Sequence, residues 1–329
     1  MRVFRVGSRD SALAMVQTEW VAAELGRNGR QLFEILSMKT LGDQVLNVSL
    51  DKVGGKGLFV KELETALLDG SVDMAVHSLK DVPTELPEGL TIGAVTHRED
   101  PRDALVTPVA RPAVDSLDDL PQGARVGTSS LRRVAQIKKY RPDLEVLPVR
   151  GNVGTRLRKL DEGQFDVLVM AAAGLARLGL KERISTILPT SISLPAVGQG
   201  ALGIEVRTED TDILEAIRPL HDPDTYAATL AERALLRRLE GGCHVPIGAL
   251  GCLDEGPEGG VLVLEGMVAE PDGSLLIRGS RRGKPEEAEA MGVSLAEELL
   301  ARGAADILAR LGGPDRRGWD APARPMSQL

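Results

Sequence analysis

The chain has 329 residues, 43% of them apolar and 27% charged, with a formal net charge of −8. That length implies two or three domains at about 100–200 residues each, and the composition is that of a globular rather than a disordered protein. The negative charge disfavours nonspecific binding to nucleic acid or to an anionic membrane, both of which need a positive footprint.

Aromatic residues make up only 2%, so the cores must rest on Leu, Val, Ile and Ala. Met1–Gln17 places Arg2, Arg5, Arg9 and Asp10 among its apolar residues, with no signal-peptide core. The longest apolar stretch, Val167–Ala176, is too short to span a bilayer. A cytoplasmic protein with neither a membrane nor a nucleic-acid partner is expected. Cys243 and Cys252 cannot build a disulfide framework, and His77, His97, His221 and His244 show no zinc spacing, so no metal is expected.

Up to about residue 218, short β-branched runs alternate with helical periodicity, the signature of an α/β fold with mainly parallel sheets. Strands are predicted at Val3–Val6, Phe33–Met38 and Val72–His77, and helices at Ser11–Leu25 and across Val60–Leu68. Leu90–Val95 resumes extended structure, and the charged, proline-bearing Glu99–Asp103 reads as a hinge. A second βα set follows: strand Arg125–Gly127, helix Ser129–Tyr140, strand Glu145–Val149, helix Val153–Leu160 and strand Asp166–Ala171. Pro195–Gly200 is the candidate return hinge, and rejoining the first sheet is one of the two routes then open to Ala201–Arg207.

The predicted domains are 1–98 with 200–218 as one lobe, 99–199 as the second, and 222–329 as a smaller α+β module. In the last, helix Thr225–Leu239 precedes antiparallel strands near Val245–Leu253, Val261–Ala269 and Ser274–Arg281, with a turn at Pro271-Asp272-Gly273 and a long helix near Glu286–Leu311. The 312–329 tail has no periodicity and is expected to be mobile.

Polar clusters stand where the predicted strands end, the place at which open α/β sheets bind ligands. Thr128-Ser129-Ser130 follows a strand and opens a helix, offering hydroxyls and backbone N–H groups to an anion. Arg132 and Arg133 come next. Arg150-Gly151-Asn152 stands at another strand end with Arg156 a turn into the helix, Arg177 follows the strand ending at Ala171, and Ser8-Arg9 supplies a similar group in the first lobe. Any one of these arginines is as readily a solvated helix face. Their repetition at successive strand ends suits a ligand with many carboxylates, which guanidinium groups bind through paired hydrogen bonds. No GxxxxGK[ST] loop or GxGxxG fingerprint supports a nucleotide, and Lys56-Gly57-Leu58-Phe59 is only a glycine-rich turn.

His77-Ser78-Leu79-Lys80-Asp81 ends an apolar strand before Val82-Pro83 turns the chain away. Lys80 and Asp81 form either a loop ion pair without chemistry or, with Asp81 pointing inward beside arginines, an ionised carboxylate able to stabilise a developing cation. Gly241-Gly242-Cys243-His244-Val245-Pro246 makes a tight, exposed turn. Its cysteine alone reads as a small hydrophobe as readily as a reactive thiol.

Together these segments resemble the porphobilinogen deaminase family through most of Val6–Gly251. The matching words are Gly7–Ala14, Gly54–Glu64, Ala75–Pro83, Val126–Arg133, Leu147–Leu160, Ala173-Gly174-Leu175, Leu194–Ala201 and the Gly241-Gly242-Cys243 loop. The resemblance implies two lobes with the fold of type II periplasmic binding proteins and a smaller C-terminal α+β module with an antiparallel sheet. It implies a dipyrromethane cofactor attached to Cys243 by a thioether, and Asp81 as the catalytic carboxylate. Ser78, Lys80, Thr128, Ser129, Arg132, Arg133, Arg150 and Arg156 would bind the carboxylates of the cofactor and growing chain. Arg9, Arg177 and Gln199 would line the substrate site, with Phe59 on a mobile loop near its mouth.

The implied activity is that of a transferase of haem biosynthesis, cytoplasmic and monomeric. Porphobilinogen loses ammonia to give an electron-poor azafulvene, whose pyrrole nitrogen Asp81 stabilises; four units become the linear tetrapyrrole hydroxymethylbilane, which water releases. Beyond about Gly256 the match is one of pattern only. A two-lobed binding protein for a carboxylated ligand is the rival reading, since fold does not dictate catalysis, and it lacks the usual secretion signal. A nucleic-acid helix over Ser129–Arg141 is opposed by overall acidity and scarce aromatics.

Overall fold

The computed structural model describes residues 3–28, 32–40, 60–239, 245–256 and 259–311. Phe59, Cys243 and the 312–329 tail lie outside them. In chain order the strands are β1 (Val3–Arg9), β2 (Leu32–Met38), β3 (Met74–Ser78), β4 (Leu90–Val95), β5 (Asp103–Val106), β6 (Arg125–Gly127) and β7 (Glu145–Leu147). They continue with β8 (Val167–Ala171), β9 (Thr186–Ile187), β10 (Leu202–Arg207), β11 (Ile247–Gly256), β12 (Gly259–Ala269) and β13 (Leu276–Gly283).

The first sheet has the order β2-β1-β3-β10-β4, with β1 parallel to β2 and β3, and β10 antiparallel to β3 and β4. The second repeats it as β7-β6-β8-β5-β9, with β6 parallel to β7 and β8, and β5 antiparallel to β8 and β9. The two lobes thus share one sheet topology, each half parallel and half antiparallel. Parallel neighbours need a βα crossover, whereas β5 and β10 are each fed directly from a segment passing between the sheets. Ala201–Arg207 therefore takes the first of its two routes, and β10 pairs inside the first sheet.

Successive strand residues face opposite sides, and the cores follow that period. Val167 and Val169 join Leu105, Val126 and Ile137 on one face of the second sheet, while Leu168 and Met170 join Leu157 and Leu160 on the other. In the first sheet, Met74 and Val76 pack with Val21, Leu25 and Ile213, while Ala75 packs under Leu63 and Leu67 of helix Lys61–Leu68. The sequence boundaries shift by a residue or two at most ends; helix Leu131–Tyr140 starts two residues later than expected, with Ser130 extended at its N-cap and the Ser129 hydroxyl donating to Val149 O at 2.8 Å.

The third sheet, β11-β12-β13, is antiparallel throughout and is covered by helices Pro223–Arg238 and Ala288–Leu299. Asp222 caps the first of these by accepting from Thr225 N at 2.7 Å, with Pro223 in the opening turn, where its missing N–H costs nothing. With few aromatics to fill space, the layers approach closely through alanine. A Cβ on Gly251 would sit 2.7 Å from Ala228 O, so only glycine fits that point of β11.

The expected long helix over Glu286–Leu311 is interrupted. Ala288–Leu299 gives way to a wider turn at Leu300–Ala304, where Gly303 takes φ 107°, and a new helix runs over Ala305–Arg310. Periodicity could not reveal the break, because Ala304, Ile307 and Leu308 on its far side enter the same core as Leu295 and Leu299. No helix among the described residues is long and apolar enough to cross a membrane.

One buried carboxylate gathers the three sheets. Glu232, on helix Pro223–Arg238, accepts from Arg98 at 2.6 and 3.2 Å, from Gly198 N at 2.7 Å and from Gly251 N at 2.8 Å. Arg98 precedes β5 on the outgoing crossing, Gly198 precedes β10 on the return, and Gly251 belongs to β11. Removing one partner of a buried pair leaves the other uncompensated. Glu232→Ala should therefore cost about 3–5 kcal/mol in urea unfolding; a loss below about 1 kcal/mol, the range of a surface pair, would contradict the pairing as a structural tie.

Candidate active site

The parallel strands bring their carboxyl ends to one edge of each sheet, and the predicted residues sit there. Arg9 is the last residue of β1, and β3 ends at Ser78 before a tight 3-10 turn, Leu79–Asp81. Leu79 N donates to Ala201 O at 3.0 Å and Val82 N to Leu79 O at 3.2 Å, which fixes the turn against the return crossing. A pocket beside it is lined by Arg9, Gln17, His77, Ser78 and Asp81 among others. The Ser78 hydroxyl and the Gln17 amide pair at 3.0 Å.

In the second lobe, Thr128 follows β6, fully buried, with its N–H on Leu147 O at 2.9 Å and its hydroxyl accepting from Ser130 N at 3.3 Å. Arg132 and Arg133 start helix Leu131–Tyr140, yet both are buried, and they converge on Asp103, the first residue of β5. Asp103 accepts from Arg132 at 2.8 Å, Arg133 at 2.7 Å, the Ser193 hydroxyl at 2.7 Å and the Gln199 amide at 2.9 Å. Burial alone would raise its pKa; the two guanidinium groups prevail and hold it well below the usual carboxylate range. Arg132 also donates to Leu194 O at 2.6 Å and Arg133 to Val169 O at 3.0 Å, while Arg133 Nε is buried without a partner among the described residues.

Arg150 and Arg156 flank the loop that follows β7. Gly151 takes φ 111° there, Asn152 caps helix Val153–Asp161 by accepting from Thr155 N at 2.9 Å, and Arg156 Nε donates to Gly151 O at 2.8 Å. Burial, then Arg133 and Arg150, push the Arg156 pKa down to about 10, with Asp81 opposing. Lys80 is pushed down to about 8 by burial first, opposed by Asp81, and further by Arg133 and Arg132. Lys80 and Asp81 thus come from one lobe and the arginines from the other, and their charges act on one another across the cleft.

Arg177 and Gln199 stand at the crossings. Arg177 ends helix Ala172–Arg177 and donates to Gly200 O at 2.6 Å; burial lowers its pKa to about 10 against the pull of Glu99. Gln199 is fully buried, giving its amide N–H groups to Pro101 O at 2.6 Å and Asp103 and accepting from Lys80 at 3.5 Å. Phe59 and Cys243 lie outside the described residues.

In the sequence Asp103 reads only as the end of the Glu99–Asp103 hinge, and Gln17 carries no signal of its own. Asp103 had a signal: it heads Asp103-Ala104-Leu105-Val106, a strand buried at every position, where a lone acid must be paired. Chemically the cluster suits an organic polyanion. Among the described residues, Asp81 and Asp103 act on Lys80, Asp103 on Arg132 and Arg133, and Asp81 on Arg156, while Arg156 is repelled by Arg133 and Arg150 and Arg133 Nε has no acceptor.

Residues 4–215 match the family model "Porphobilinogen deaminase, dipyromethane cofactor binding domain", and residues 226–301 match "Porphobilinogen deaminase, C-terminal domain". The chain is 55% identical to the porphobilinogen deaminase of Desulforudis audaxviator over 307 residues, covering 93% of this chain and 97% of the relative. It is 53% identical to that of Syntrophobacter fumaroxidans, with 93% and 97% covered, and 53% identical to that of Synechococcus elongatus, with 93% and 95% covered. Among solved structures it is similar to a periplasmic substrate-binding protein of an ABC transporter from Coxiella burnetii, at 15% identity and TM-score 0.42, covering 70% of this chain and 96% of that one. Matched by these models from residue 4 to residue 215 and again from 226 to 301, and by relatives along nearly their whole length, the chain belongs to the porphobilinogen deaminase family.

Proposed function

We propose that the chain joins four porphobilinogen molecules, with loss of ammonia, into the linear tetrapyrrole hydroxymethylbilane, as a cytoplasmic, monomeric transferase of haem biosynthesis. The observation that carries this reading is the place of Asp81: it lines a pocket of the first lobe while its charge acts on Lys80 and on Arg156 of the second. A carboxylate so placed meets a substrate whose own carboxylates are drawn to the surrounding cations.

Ser78, Lys80, Thr128, Ser129, Arg132, Arg133, Arg150 and Arg156 would hold the acetate and propionate groups of a dipyrromethane linked by a thioether to Cys243. Arg133 Nε, unpartnered among the described residues, and the mutual repulsion at Arg156 support that fit, since carboxylates relieve both. When bound, the cofactor supplies a nucleophilic pyrrole α-carbon as the starting point for the chain. Arg9, Arg177, Gln199 and Phe59 line the substrate site in this reading.

Loss of ammonia gives the substrate's pyrrole nitrogen positive character. The Asp81 carboxylate offsets that charge and carries the protons that ring joining releases. Ser78 is oriented for carboxylate binding by Gln17, and Arg132 and Arg133 are held in register by Asp103. Growth of the product adds two carboxylates per ring, so the cations must serve several positions in turn. The crossings at Glu99–Asp103 and Leu194–Gln199 are the hinges that would make room.

Intact-mass measurement of the purified chain should exceed the sequence mass by two pyrrole units, and Cys243→Ala should abolish the increment. An active protein at its bare sequence mass would remove the cofactor anchor, and a two-lobed binding protein would show neither increment nor turnover. Asp81→Asn should lower kcat by about 10²–10⁴-fold, the usual yield of a placed acid–base group, with unfolding unchanged; near-normal turnover would deny its role. Lys80 is charged below about 8 and neutral above, so kcat/KM, which reports the free enzyme, should fall as pH rises through that value. Lys80→Arg, cationic throughout, should lack this limb; a limb of the same position in the variant would assign it to another group.

A further inference from the structure

The Leu79–Asp81 turn is short, and Pro83 follows it without an N–H, so the carbonyls of Val82 and Pro83 lie outside every strand. Buried carbonyls need donors, and Val82 is buried. Both are served by one side chain from another part of the chain: Arg233, on helix Pro223–Arg238, donates through Nη1 to Val82 O at 3.1 Å and through Nη2 to Pro83 O at 2.6 Å. This helix also carries Glu232 and runs to Leu239, a few residues before Cys243.

Resting on the function proposed above, we infer that Arg233 is a positioning residue for Asp81, clamping the catalytic turn to the module that bears the cofactor cysteine. The return crossing holds the front of the turn through Ala201 O and Gln199 Oε1, and Arg233 holds its exit. The planar fork of a guanidinium reaches two successive carbonyls at once, which a lysine ammonium on a flexible stem cannot reproduce. Among the described residues Arg233 forms no ion pair with a carboxylate, so its bonds serve backbone placement rather than charge neutralisation. Burial and Arg237 push its pKa down to about 10, with Glu205 opposing, and the side chain remains a cation at neutral pH.

The test uses the full-length, cofactor-loaded chain as Arg233→Met and Arg233→Lys, assayed at a temperature at which each is folded. Arg233→Met should keep the full mass increment, lose at least about tenfold in kcat and change KM by less than about threefold, because a misplaced catalytic group slows chemistry more than it weakens binding. Arg233→Lys should fall between it and the wild type. A residue that merely tied modules together would lower the unfolding temperature and leave kcat intact, and that result overturns the inference. So does an Arg233→Met chain without cofactor, since the residue would then serve loading. If Arg233→Met does not fold, Arg233→Lys decides: reduced kcat at full mass supports positioning, and wild-type kcat refutes it. A wild-type chain without the mass increment strikes the cysteine reading instead.

Discussion

Asp103 stands where the chain first enters the second lobe, and its carboxylate is fully buried. An isolated ionised carboxylate in such a place is costly to bury. It persists there because Arg132, Arg133, Ser193 and Gln199 all donate to it. Those donors come from helix Leu131–Tyr140 and from the return crossing, so one anion fixes the arginine pair of the second lobe and the path by which the chain goes back. The guanidinium groups are oriented by a partner that no ligand has to displace. Among the described residues Arg133 Nε keeps a donor without a partner.

Glu232 does for the third module what Asp103 does for the second lobe. It collects Arg98 and Gly198 from the two crossings and Gly251 from β11, in a core where alanine and glycine let backbones approach closely enough for a short carboxylate to reach all three. Both carboxylates bind the crossings near their ends.

Between the lobes, Arg156 and Lys80 have their pKa values lowered by burial and by neighbouring guanidinium groups, with Asp81 opposing. This ties the electrostatics to the chemistry of the porphobilinogen deaminase family, whose substrate and cofactor both carry carboxylates. The protein as a whole is acidic, so the attraction is local and is built by placing arginines at strand ends, not by overall charge.

Much of this was legible in the residues themselves. Strand and helix positions followed from β-branched runs and apolar period, because those signals are local, and the polar clusters could be located because they fall at strand ends. Local signals could not decide partners. That Ala201–Arg207 pairs between β3 and β4, that Arg132 and Arg133 turn inward to a carboxylate some thirty residues earlier in the chain, and that Arg233 reaches back to Val82 and Pro83 are matters of long-range contact. The break at Gly303 stayed hidden for the complementary reason: apolar residues on both sides of it serve one core. The amino-acid order by itself determined the elements, the family and the chemical character of the site; the tertiary structure alone decided which charges meet, since burial and pairing depend on residues that the chain brings together only when folded.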